Sequence, residues 1–321
     1  MPLRKLFYWQ ASLNDSLKLM KYNFRIFLIP LGLVFLLSTC GDKPSASTKD
    51  ESNEVAQDLH DVPHILSSQD WLIPAGATAS TKETRLILNA SIDANLRDQK
   101  ISGLLTKEFK RAYVSDYISD TSIRTEFKKD EITGRAIVNG SPAPQPNEKG
   151  PLHAQMIMFT KFDGSWQGTI EGEEASPDQL SRIEELARHI GGFNNKVILG
   201  DIPRHVGDTW EIDPADLNAY AGGLEEMSGS FKVFFRSLVK HQGYDCAEIL
   251  TNFHLVGREL QGKEMELIGK STMLQSIDYQ IPLRMEMKGE MMMSNPVMGG
   301  LGNMRTKGPI ELIRETTLVL P

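Results

Sequence analysis

The chain is poor in the groups that most enzyme classes need. Two cysteines in 321 residues leave no basis for a disulfide-stapled architecture. No Gly-x-Ser-x-Gly elbow, phosphate-cradling glycine-rich loop or His-Glu-x-x-His pair occurs anywhere in it. The seven histidines, His60, His64, His153, His189, His205, His241 and His254, stand apart from one another, none at a metal-ligand spacing with Asp or Glu. Basic runs are missing as well, and with a net charge of −7 and pI near 5.6 no nucleic-acid partner is expected, because neutralising phosphates takes clustered Lys and Arg. Acid–base chemistry has little support. Glu171, Glu173 and Glu174 read as solvated turn residues before a helix. No metal and no cofactor is expected, and the chain reads as non-catalytic.

What is present starts near the N-terminus. Lys21 and Arg25 precede an apolar run from Ile26 to Leu37, which closes on Ser38, Thr39 and Cys40. This is the three-part pattern of a secretory signal. The run is about a dozen residues, against the roughly 20 of a spanning helix, and Pro30 interrupts it. Leu37-Ser38-Thr39-Cys40 resembles the lipobox of bacterial lipoproteins, with Thr39 where Gly, Ala or Ser is usual. The resemblance implies a diacylglycerol thioether on Cys40, a membrane reached through that lipid, and a location in the bacterial cell envelope, on the periplasmic side or the cell surface. Residues 1–39 are then the signal, whose natural initiator is Met20 unless the first nineteen residues form a long n-region. Residues 40–57, rich in Ser, Lys, Asp and Glu, read as a flexible tether. Cys246 is left without an internal partner and reads as a small core residue of a strand.

Residues 58–321 are expected to form one β-rich domain. His60 and His64 flank Pro63 and read as surface residues. From Glu83 the pattern has period two, with Leu86, Leu88 and Ala90 on one face and Arg85, Ile87 and Asn89 on the other. Ile123, Thr125 and Phe127, then 132–138 and 155–162, continue it. Residues 140–150, with three prolines, read as a loop, and Asp163-Gly164 as a hairpin turn into 166–170. A helix is expected after the N-cap Ser176, with Pro177 in first position, an apolar stripe of Leu180, Ile183, Leu186, Ala187 and Ile190, and a stop at Gly191-Gly192. His189 reads as a helix-end residue.

Further on, Gly207-Asp208 reads as a tight turn that sends Trp210 inward on a strand. A short helix follows from Pro214 to Tyr220. Residues 229–240 and 244–256 should pair about the turn 241–243. Residues 265–278 and 280–294 should form another hairpin, and 311–320 a final strand. Pro203, Val206, Gly207, Asp208, Thr209 and Trp210, then Cys246, Ala247, Ile249 and Gly269, resemble the pattern of uncharacterised bacterial envelope lipoproteins. The resemblance covers about residues 199–293. It implies location and a β-rich fold, with no activity to carry over.

Met285, Met287, Met291 and Met293 fall on alternate positions and so share one strand face, Met292 faces away, and Met298 and Met304 follow. Thioethers are ligands for Cu(I), but no His or Cys accompanies them. The preferred reading is an adaptable apolar face, either core or the lining of an apolar ligand's pocket together with Trp210. His205, beside Arg204 and Asp208, reads as a turn-stabilising group. The expected architecture is a mainly β (α+β) domain of about ten antiparallel strands, a curved sheet or half-barrel with one or two covering helices, in outline like envelope lipoprotein carriers. A sandwich, or two β domains meeting near residue 195, fits the same element order. Two roles follow: an anchored binder of a lipid or other apolar ligand, or a structural or interaction component of the envelope.

Overall fold

A computed structural model describes residues 61–67, 72–96, 99–143, 147–190, 193–220, 226–258, 263–297 and 302–321. The signal, Cys40, the tether, His60, Gly191, Gly192 and Met298 lie outside the described residues. Among the described residues thirteen strands form one sheet: β1 (Thr78–Leu96), β2 (Gln99–Ser119), β3 (Ser122–Val138), β4 (Ser141–Ala143), β5 (Glu148–Lys149), β6 (Met156–Phe162), β7 (Ser165–Ile170), β8 (Thr209–Ile212), β9 (Glu226–His241), β10 (Tyr244–Arg258), β11 (Glu264–Ser276), β12 (Pro282–Val297) and β13 (Gly302–Val319). Between β7 and β8 come α1 (Pro177–His189) and α2 (Phe193–Leu199), and between β8 and β9 a 3-10 helix, Pro214–Tyr220.

Pairing is antiparallel between neighbours throughout. The order across the sheet is β7-β6-β3-β2-β1-β13-β12-β11-β10-β9-β8, with β4 and β5 attached to β3. The sheet is open, since its two end strands, β7 and β8, do not pair. One sheet replaces the two of a sandwich, and the β1–β13 ladder joins both halves of the chain. A half-barrel is not established by this pairing.

Turn chemistry fixes the hairpins. Asp163-Gly164 and Gln242-Gly243 both carry two successive positive φ angles, the two-residue turn whose twist matches that of its strands. Asn139-Gly140 does the same between β3 and β4, where the sequence reading placed the beginning of a loop.

Helix α1 follows its expected start. Ser176 Oγ accepts the Gln179 N–H (3.4 Å), and Gln179 Oε1 accepts the Ser176 N–H (2.8 Å), which closes a capping box. Ile183 and Ala187 are buried with Ile123, Phe127, Leu152, Ile157, Phe159 and Ile170. Leu180, expected in that stripe, is exposed. The helix lies on β7, and the 3-10 helix lies on β9. Both expected helices are present, and they sit at the two ends of the strand order. Helix α2 was not expected, and the short helix expected from Pro214 to Tyr220 is present as a 3-10 helix.

The main core lies on one face of β1, β2, β3 and β9 to β13. On β13, Met304, Thr306, Ile310, Leu312, Thr316 and Leu318 are buried and the residues between them largely exposed. Irregularities on β1 near Lys82 and on β3 near Lys128 shift the phase of those strands by one residue. Without the shift, the apolar set would turn to the opposite face beyond those points.

Candidate functional site

The methionines make the most distinctive surface on the buried face. Across β11 and β12, Met265 pairs with Met293, Leu267 with Met291, Ser271 with Met287 and Met273 with Met285. At the middle of this ladder Gly269 faces Gly289. A Cβ on Gly269 would lie 2.7 Å from the Phe253 ring, so the missing side chain is what lets that ring settle over the strand. Phe253 stacks in turn on Phe231, with centroids 6.1 Å apart. Eight methionines (Met227, Met265, Met273, Met285, Met287, Met291, Met293 and Met304) are buried in this core. Each contributes about 1.5–3 kcal/mol by burial, and their unbranched chains re-pack around different shapes more readily than Leu or Ile.

Trp210 lies on the same face, paired with Val233. Its indole N–H donates to the Ile198 carbonyl of α2 (2.8 Å), and the Arg204 guanidinium sits 4.5 Å from the ring centroid. The tryptophan thus fastens α2 to the sheet. The preceding turn is held by backbone bonds, with the Gly207 N–H donating to Phe235 and the Phe235 N–H to Asp208. The Asp208 carboxylate accepts the His205 N–H at 2.8 Å. That is the turn-stabilising arrangement expected of this cluster. His64, expected at the surface, is buried: its backbone pairs with Arg204 and its ring meets Phe235 edge-on. Cys246 is fully buried, and burial pushes its thiol up to about 11.

At its other end the buried face becomes polar, which the sequence reading missed. Following the register outward from Met285, the next positions are Arg314 on β13, Thr84 on β1, Arg111 on β2 and Asp130 on β3. Arg111 donates to Asp130 Oδ1 from Nε (3.1 Å) and from a terminal nitrogen (2.9 Å). Asp130 also accepts the Leu152 N–H. Arg182 of α1 pairs with Glu185, and burial, with Arg111 close by, lowers its guanidinium to about 10. Arg314 lies over the Tyr113 ring, 5.9 Å from its centroid. Burial holds the neighbouring Tyr117 hydroxyl above its ordinary value. The signal in the sequence was phase: Arg314 continues the even-numbered inward series Ile310, Leu312, Thr316.

Lys107, on the same phase of β2 as Leu105 and Phe109, is lowered to about 8 by burial, with Glu148 pulling the other way. Below about pH 8 this lysine is charged in both folded and unfolded chains, and folding bears the full desolvation cost. Between about 8 and 10.5 the unfolded chain keeps a proton that the native state has released, so stability rises with pH across that window. Lys107→Met should raise stability at pH 7 by about 2 kcal/mol and flatten the rise, as read by chemical denaturation at several pH values.

Among the described residues no group of His, Cys, Asp and Glu is placed to hold a metal ion, and no helix is long and apolar enough to cross a membrane. No family model matches the chain, and neither does any curated protein. Among solved structures, a lipovitellin described for its lipid–protein interactions is 11% identical, with a TM-score of 0.37 over 77% of this chain, which spans 26% of that one. A DUF1329 family protein from Desulfovibrio piger is 11% identical with a TM-score of 0.15, covering 78% of this chain and 88% of its own. A β-barrel-like protein of a domain of unknown function from Brucella abortus is 9% identical with a TM-score of 0.18, covering 72% and 98% respectively. At these scores the likeness carries no argument about function.

Proposed function

We propose that the protein is a bacterial envelope lipoprotein, anchored through a lipid on Cys40, whose β domain holds a lipid or other apolar ligand against its methionine face. In this reading it binds and does not catalyse. The observation that carries it is the concentration of eight buried methionines on one face of a continuous run of strands. An inert core is better specified by branched side chains, whereas thioethers suit a surface that must fit variable apolar shapes.

The sheet in this reading curls toward a half-barrel and so covers its own apolar face. Two hydrogen bonds support the curl. The Tyr244 hydroxyl donates to the Leu318 carbonyl (3.1 Å), and Gln242 Nε2 to the Thr316 carbonyl (3.1 Å). In a flat sheet β10 and β13 lie three strand spacings apart, about 14 Å, a distance these side chains bridge poorly. Glu315 of β13 also acts electrostatically on His241 of β9, which a flat sheet would hold about 19 Å away. The connection from β7 to β8, opposite ends of the strand order, points the same way.

A second reading has its own observation. Met287 and Met293 are each 1% exposed, so this part of the face is filled as it stands. A packed core with a partner-binding exterior would suit a structural or interaction component of the envelope. Native mass spectrometry of the protein, released without exchange of its lipids, separates the two. A co-purifying mass that extraction identifies as a lipid supports the binder. A clean apo mass with no uptake of added lipid favours the structural role.

A further inference from the structure

Resting on that reading, we infer that the ligand is an amphiphile with an anionic head, and that Arg314 receives the head while the chain lies along Met285 and Met287. Arg314 and Met285 are direct register partners on β13 and β12, and Met287 is the next inward residue of its strand. A cation and the end of the thioether stripe therefore adjoin on one face.

The charges around this point do not balance. Arg111 is neutralised by Asp130 and Arg182 by Glu185. Arg314 is set against aromatic residues instead, over the Tyr113 ring and beside the half-buried Tyr117. Its Nε is buried and has no hydrogen-bond partner among the described residues. Among the described residues Arg111 and Arg182 thus each face a carboxylate, whereas Arg314 faces an aromatic ring. A buried donor on a charged group left unpaired is costly, and a guanidinium's planar fork matches a carboxylate or phosphate with two parallel hydrogen bonds. An anionic head would satisfy Nε and supply the missing charge. A neutral apolar molecule would do neither.

The test uses the full chain held in an amphipol and three probes of identical chain: oleate, oleyl phosphate and oleyl alcohol. Equilibrium binding of each is measured to the wild type, to Arg314→Gln and to Arg314→Lys. At least one anionic probe should bind the wild type about tenfold or more tighter than the alcohol. The better of the two identifies the head as carboxylate or phosphate. Arg314→Gln should erase the preference and leave alcohol binding unchanged, and Arg314→Lys should retain part of it. Equal wild-type affinity for all three probes overturns the headgroup assignment without touching the apolar-ligand reading, and that comparison needs no variant to fold. A preference that survives in Arg314→Gln overturns it too. Failure of all three probes to bind overturns the apolar-ligand reading and this assignment together.

Discussion

Replacing Gly308 with valine is expected to destabilise the domain by about 4 kcal/mol or more, a size reserved for a few mechanisms such as backbone strain and overpacking. Gly308 lies on β13, where the first and second halves of the chain meet. A Cβ there would stand 1.9 Å from the Asn89 carbonyl oxygen and 2.7 Å from the Ala90 Cα on β1. Both neighbours are backbone, so no side chain can swing aside. The β1–β13 ladder is already interrupted here, with register partners on either side at Leu88–Ile310 and Ser91–Lys307. Pro309, next along the strand, brings no N–H to it. The only way to admit valine is to part the two strands, and with them the two halves of the sheet. Thermal unfolding should fall by about 8–16 °C, or the protein should be recovered only as aggregate. Gly140→Ala is the control. Its φ is +79° and an added Cβ would meet nothing within 4 Å, so strain alone, about 1–2 kcal/mol, is expected. Equal effects from the two variants would show that the β1–β13 approach is looser than described.

Cys40→Ser is expected to abolish acylation outright. If Cys40 is the residue that receives diacylglycerol, cells fed labelled palmitate will label the wild-type protein and leave the variant blank. The mature domain should then lose its hold on the membrane. Each buried methylene of an acyl chain contributes about 0.8 kcal/mol, and more than one chain is needed for stable anchoring. Undiminished label in the variant, or none in the wild type, contradicts the lipoprotein assignment whatever the domain binds.

Strands β10, β11 and β12 could be read from the sequence because their apolar residues keep period two for long stretches. β2 could not, although it is one of the longest strands: Gly103, Lys107 and Arg111 occupy inward positions and erase the apolar alternation. The residues that hid the strand are thus those that make its end of the face polar. β13 was legible only from Glu311 onward, because Gly308-Pro309 reads as a strand breaker when its neighbours are unknown. The methionine face was visible, since it needs only the parity of one strand. Its pairing with Arg314 was not, because the register between β12 and β13 is a property of the assembled sheet. The burial of His64 has the same origin, in a backbone bridge to Arg204 far along the chain. His205 and Asp208, by contrast, are three residues apart and could be placed from local turn chemistry.

The most direct test of the apolar-ligand account is methyl NMR of protein labelled at the methionine methyl carbon, titrated with oleate. Met→Leu variants assign the signals. The account predicts that the resonances of Met285, Met287, Met291 and Met293 shift together and saturate at one equivalent, while those of Met156 and Met158 on β6 stay in place. Unmoved signals from the β12 methionines at saturating oleate would contradict it, and would leave these residues as core alone.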